Sequence, residues 1–148
     1  MDARRPSLRG VGANGIEATH HALGTYSLHC DGRPELLFTE NESNAARLWS
    51  QPNGVPFVKD AFHACVVSGQ ADAVNPARTG TKAAACYVLE VPAGGVEFVQ
   101  LRLTKGAASQ KFGAAFEEAL RQRLLDADEF YERITPRSLR EDERRIIA

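Results

Sequence analysis

Cysteine, methionine and aromatic residues are scarce in this chain, and charge of neither sign dominates it. There are three cysteines in 148 residues, Cys30, Cys65 and Cys86. They are an odd number at wide spacings, each in or beside an apolar segment where a thiol packs as a small hydrophobe. That argues against a disulfide framework and for reduced thiols in a cytoplasmic protein. The 18 Lys and Arg against 19 Asp and Glu leave a formal net charge of −1, too little positive field to neutralise phosphates or anionic lipid. Nucleic acid and membrane surfaces are therefore not expected partners. No apolar run approaches the roughly 18 residues of a membrane span. The first ten residues carry an arginine pair with no apolar segment behind it, which predicts a soluble, unsecreted chain. The 43% hydrophobic content suffices for one core and would leave a second independent domain cramped.

Motifs of catalysis are missing as well. His20, His21, His29, His63 and Cys65 are candidate metal ligands, but no CxxC pair or HExxH accompanies them, so neither a metal nor another cofactor is expected. Gly80-Thr81-Lys82 looks like the end of a phosphate-binding loop, yet the upstream glycine is absent and a strand follows. No serine has a nucleophile-elbow context. Glu40, Glu42 and Asp60 could form a carboxylate pair for general acid and base work; the alternative is capping and ion pairing with Lys59, Arg47 or Arg78.

The patterning that is present is mostly β, then α. Gly10 to Gly15 is a glycine-rich entry. Ile16–His20 and Thr25–Cys30 read as two strands joined near Leu23-Gly24, with Tyr26, Leu28 and Cys30 on one face. Leu36–Phe38 is a short buried strand. Asn41 or Ser43 caps a short helix carrying Ala45, Ala46, Leu48 and Trp49, which prolines 52 and 56 close. Phe57–Val67 fits a helical turn or an extended segment equally. Lys82–Val91 predicts a long central strand, and Val96–Leu103 its antiparallel hairpin partner across Pro92–Gly95. From Phe112 the period changes. Phe112, Phe116, Leu120, Leu124, Ala127, Phe130, Tyr131 and Ile134 recur at three and four residues, predicting a long amphipathic helix that Thr135-Pro136 ends. Ser138 and Glu141 form a capping box for another helix, which the chain leaves unfinished. The fold class expected is mainly β with a C-terminal α region: a partial antiparallel β-sandwich over residues 1–106 and a helical linker over 107–148.

Three polar clusters between short apolar stretches carry a resemblance: ELLFTENESNAARLW, VKDAFHACVV and DAVNPARTGTKAAACYVLEVPAGG, followed by ADEFYERITP and LREDERRI. The chain resembles the N-terminal β-domain of bacterial glucosidase-like proteins of glycoside hydrolase family 63, the mannosylglycerate-hydrolase-like enzymes. The combination of TENE, VKD and NPxRxGTKAAA is its specific part, and the similarity runs from about Pro6 to Ile147. The resemblance implies a β-supersandwich, a linker helix region and then an (α/α)6 toroid holding the catalytic carboxylates and most of the sugar pocket. It assigns no catalytic residue to this sequence. The strands are also too few for a complete supersandwich, so the chain is expected to be a fragment whose partner is the missing toroid, with exposed sheet edges that favour self-association.

Within that frame Lys59, Asp60, Asn75, Arg78, Thr81 and Lys82 are expected to fix loops, to meet the neighbouring domain or to touch sugar. Asn and Asp bond nearby backbone, and Arg grips carboxylates in bidentate fashion. Trp49 either stacks on a sugar ring or packs its short helix onto the sheet. The function expected is that of a noncatalytic support for a glycosidase; the alternative is a free-standing carbohydrate-binding β-sandwich.

Overall fold

A computed structural model describes residues 5–106 and 112–147. The chain divides into two compact units, Met1–Ser109 and Gln110–Ala148. It is mainly β, with two antiparallel sheets followed by C-terminal helices.

In the first unit, strands β2 (Gly15–His20) and β3 (Gly24–Cys30) form the expected hairpin, with Ile16 opposite Leu28. On its far side β2 pairs with β1 (Ser7–Val11). The five-stranded sheet is completed by β5 (Thr79–Gly80) against β1 and by β7 (Leu101–Lys105) against β3, in the order β5-β1-β2-β3-β7. A second sheet pairs β4 (Glu35–Thr39) with β6 (Lys82–Cys86), placing Leu37 opposite Ala84.

The core follows from the period of β4. Leu36 and Phe38 point to one face and meet Ile16 and Cys30 of the five-stranded sheet, with Leu8, Leu28, Ala83 and Ala85 around them. Leu37 points to the other face. There it joins Ala61 and Val74 under α2 (Ala61–Ser68) and the short 3-10 turn Ala71–Ala73. A strand covered on both faces reads as an unbroken apolar run, which is why Leu-Leu-Phe shows no alternation. Phe38 has no exposed surface, and burial of such a side chain stabilises the fold by about 1.5–3 kcal/mol.

Three expectations change. The long strand and hairpin over Lys82–Leu103 are not formed: β6 stops at Cys86, and β7 begins at Leu101 and pairs with β3 in the other sheet. Residues 87–100 instead cross between the sheets, leaving Val88 93% and Phe98 83% exposed. The glycine-rich entry is strand β1 and its turn; Gly10 and Gly15 hid the strand pattern. In the ambiguous Phe57–Val67 segment the part from Ala61 is helical, as α2, and Gly69 closes it in the left-handed conformation glycine tolerates.

In the second unit, α3 (Ala114–Ile134) ends at Thr135 as the Thr-Pro signal predicts, and none of its residues is buried. Phe112 packs edge-on to Phe116 with ring centroids 5.4 Å apart. The final helix α4 (Glu141–Ile147) is capped two residues later than expected. The Glu143 carboxylate accepts from the Arg140 backbone N–H at 2.8 Å, the reach-back half of a capping box with arginine in the cap position.

Candidate functional site

Strand β4 delivers the chain into the TENE segment, and the other two polar motifs close around it. On one side Phe38 and Thr39 carbonyls accept from the Asn75 and Thr81 backbone N–H groups. On the other, Glu40 N–H donates to Phe57 and Lys59 N–H donates to Glu42. The three motifs are thus one backbone-linked arrangement, assembled from positions far apart in sequence.

The NPARTGT loop is braced from within. Asn75 donates to the Thr79 carbonyl at 2.7 Å and accepts from Ala77 N–H at 3.0 Å, an Asx turn. Arg78 adopts a left-handed conformation with φ 55°, uncommon for a residue with a Cβ. Its guanidinium lies over Gly10, where a Cβ would meet it at 2.9 Å, and donates to the Gly12 carbonyl at 2.8 Å. Gly80 passes so close to β4 that a Cβ there would sit 2.3 Å from the Thr39 carbonyl oxygen. Thr81 donates to Glu40 at 2.6 Å and accepts from Asn41 N–H at 2.8 Å.

The second arrangement surrounds α1 (Ala45–Trp49). Its cap is Asn44, not Asn41 or Ser43 as expected; the side chain accepts from Arg47 N–H at 3.0 Å. Asn44 also donates to Asp60 at 3.2 Å and accepts from Asn53 at 3.2 Å, while Asn53 accepts from Ala46 N–H at 3.1 Å. Arg47 reaches the same Asp60 oxygen, Oδ2, at 3.4 Å. Asp60 Oδ1 is shielded and has no partner among the described residues.

The carboxylates do not gather. Glu40 lines one cavity of about 460 Å³ with Arg5 and Thr79–Thr81, whereas Asp60 lines another of about 420 Å³ with Asn44, Arg47 and His63. Glu42 pairs with Arg5. Of the expected ion pairs, Arg47 with Asp60 forms; Arg78 turns to backbone instead. Lys59 and Lys82 are exposed, as is Trp49 at 62%. The expected packing of Trp49 on the sheet is not seen, because α1 is a single short helix with no buried residue. Asn75, Arg78 and Thr81 share one loop system; Asp60 belongs to the other. Sequence reasoning missed Asn44 and Asn53, and it weighed Gly80 only as part of a phosphate-binding loop, not for its close approach to β4. Only Asn44 carried a local signal, its three-residue spacing from Arg47. Among the described residues no three His, Cys, Asp or Glu side chains gather as a metal site requires.

Two of the thiols, Cys30 and Cys65, are poor nucleophiles. Burial pushes the Cys30 thiol up, partly offset by a hydrogen bond with Tyr87. Burial also raises Cys65, and the neighbouring charges of Glu35 and Cys86 add to it. Neither has the electropositive setting that activates a cysteine.

The chain is similar to Uncharacterized protein YMR196W of Saccharomyces cerevisiae, with 36% identity over 124 residues covering 76% of this chain. It spans only 11% of the length of that curated relative. No protein-family model matches the chain, and no solved structure does. No helix among the described residues is long and apolar enough to cross a membrane.

Proposed function

We propose that this chain is a noncatalytic β-domain segment of a family 63-like glycoside hydrolase, acting in the cytoplasm, whose work is to support a catalytic toroid and close one side of its sugar pocket. The observation that carries the reading is how the motif polar groups are used. Glu40, Asn44, Asn75 and Arg78 hold loops to one another and to backbone, which suits a scaffold better than a reacting centre. The separate cavities of Glu40 and Asp60 weigh against a small enzyme built on those carboxylates. The exposed stripe of α3 supports a docking role, since an amphipathic helix is stabilised mainly by burying its apolar face. The purified chain is expected to leave aryl glucosides and glucosylglycerate unhydrolysed, while a longer protein that joins it to a toroid hydrolyses them. Turnover by this chain alone overturns the reading.

The exposure of Trp49 favours one competing reading, a free-standing carbohydrate-binding module with Trp49 as its stacking platform. Calorimetric titration with an oligosaccharide panel separates the two. The module reading requires heat that Trp49→Ala abolishes.

A further inference from the structure

We propose that the outer edge of β7 is a self-association site, which takes the same strand of a second copy of this chain as an antiparallel neighbour with Leu101 opposite Leu101. β7 closes one end of the five-stranded sheet with five residues, whereas β5 at the other end has two. A very short edge strand offers little to pair with; five residues are an ordinary strand length.

The hydrogen bonds of β7 define what this edge presents. Asp31 N–H donates to the Gln100 carbonyl at 2.9 Å, and Gly106 N–H donates to the Thr25 carbonyl at 2.8 Å. In an antiparallel ladder alternate residues turn their N–H and C=O toward the same neighbour. With Gln100 and Gly106 bonded toward β3, Arg102 and Thr104 face it as well, and the backbone groups of Leu101, Leu103 and Lys105 point outward. Among the described residues no turn, loop or cap backbone meets them.

The sequence is self-complementary in one register. An incoming antiparallel copy must set odd-numbered residues opposite odd-numbered ones, because those carry the outward groups. With Leu101 on the two-fold axis, Val99 faces Leu103 and Glu97 faces Lys105, so apolar meets apolar and acid meets base. Sliding the copy by two residues in either direction sets Lys105 against Val99 or Glu97 against Leu103. Glu97 and Lys105 are exposed, so both charges are within reach of a second molecule. Leu101 and Leu103 lie opposite Cys30 and Leu28 of β3, on the face of the sheet that carries the core, yet they stay 50% and 64% exposed. Pairing lays two such strips side by side and covers apolar surface that the second sheet leaves bare. Residues 96–100 form no strand in the single chain; their strand-like composition, Val-Glu-Phe-Val, serves the ladder once β7 extends back to Glu97.

The pairing does not depend on the chain belonging to a glycosidase, so the two assignments fail separately. Sedimentation of the full chain over a concentration series should show a monomer–dimer equilibrium. Hydrogen exchange followed by NMR should slow at the Leu101, Leu103 and Lys105 amides as the concentration rises, and change less at Arg102 and Thr104, which already face β3. Glu97→Lys and Lys105→Glu replace exposed side chains and leave the fold intact. Each sets like charges opposite one another at both symmetric positions and should weaken the dimer about three- to thirty-fold. The chain carrying both reversals restores the pairing and should regain the dimer. A chain that stays monomeric up to about 1 mM overturns the proposal. So does a dimer that forms without slowing those three amides, or one in which the double reversal is no tighter than the single ones.

Discussion

In the β-rich unit the apolar residues of β2, β3 and β4 meet across two sheets, and Phe38, Thr39 and Cys30 have no exposed surface. In α3, with an apolar stripe as regular as any strand's, Leu124 stays 59% and Phe130 56% exposed. Both regions are amphipathic, but among the described residues only the first brings two apolar faces together within its own unit. The first therefore draws its stability from contacts distant in sequence. The helical unit relies on local pairs, Glu118 with Arg121 and Arg123 with Asp126 three residues apart in α3 and Glu141 with Arg145 four apart in α4, each weak at an exposed position.

The sharpest way to break that contrast is a matched pair of truncations. Phe38→Ala is expected to cost about 3–5 kcal/mol, because it empties the centre of the sandwich. Leu124→Ala, on the exposed stripe, should stay within about 0.5 kcal/mol. Urea unfolding followed by circular dichroism measures both, and equal losses would show that α3 is packed in solution. A smaller effect tests the close approach of the NPARTGT loop to β4. Gly80→Ala forces a Cβ against the Thr39 carbonyl and should cost about 1–3 kcal/mol. Gly54→Ala, where a Cβ meets nothing within 4 Å, should be neutral or slightly stabilising.

The two regions should also respond to opposite ends of the pH scale. In the β-rich unit burial raises Cys30, Cys65 and Tyr87. The folded state then holds protons that the unfolded chain releases, so stability is full at neutral pH and falls as pH rises above about 8.5. In the helical unit a hydrogen bond from Arg121 lowers Glu118, and the side chain and backbone of Arg140 lower Glu143. Their contribution is present above the ordinary carboxylate range and is lost as pH falls through it. Thermal melts in alkaline buffer should show the first loss, reduced in Cys30→Ala. Far-UV circular dichroism in acid should show the second, reduced in Glu118→Gln. A β unit insensitive to alkali would contradict the burial of these groups.

Where the sequence was readable, one face of an element was wet. The Ile16–His20 and Thr25–Cys30 hairpin and the stripe from Phe116 to Ile134 declared themselves because polar residues marked the other side. The segment after Cys86 misled, because Val88 to Val91 and Val96 to Val99 have the composition of strands while the chain is crossing between sheets. Strand β1 was hidden by Gly10, needed where the Arg78 guanidinium lies against the backbone. The candidate site was legible as residue types but not as an arrangement. Thr81 meets Glu40 across 41 positions and Arg78 meets Gly12 across 66, and no local period records such pairings.

The cysteines offer the finest test, since they sample both faces of β4. Cys30 lies between the sheets with no exposed surface, while Cys65 and Cys86 flank the cluster under α2 and are partly exposed. A buried thiol reacts only when a reagent can reach it, so the order should be set by access. In native buffer a small thiol reagent should modify Cys65 and Cys86 first, with Cys30 reacting only at the rate at which the sandwich opens. Mass spectrometry of the partly labelled chain reads the order. Phe38→Ala should then accelerate Cys30 far more than the other two, because loss of the Phe38 side chain loosens the sheet interface and leaves the α2 layer in place; uniform acceleration would mean that the two layers open as one.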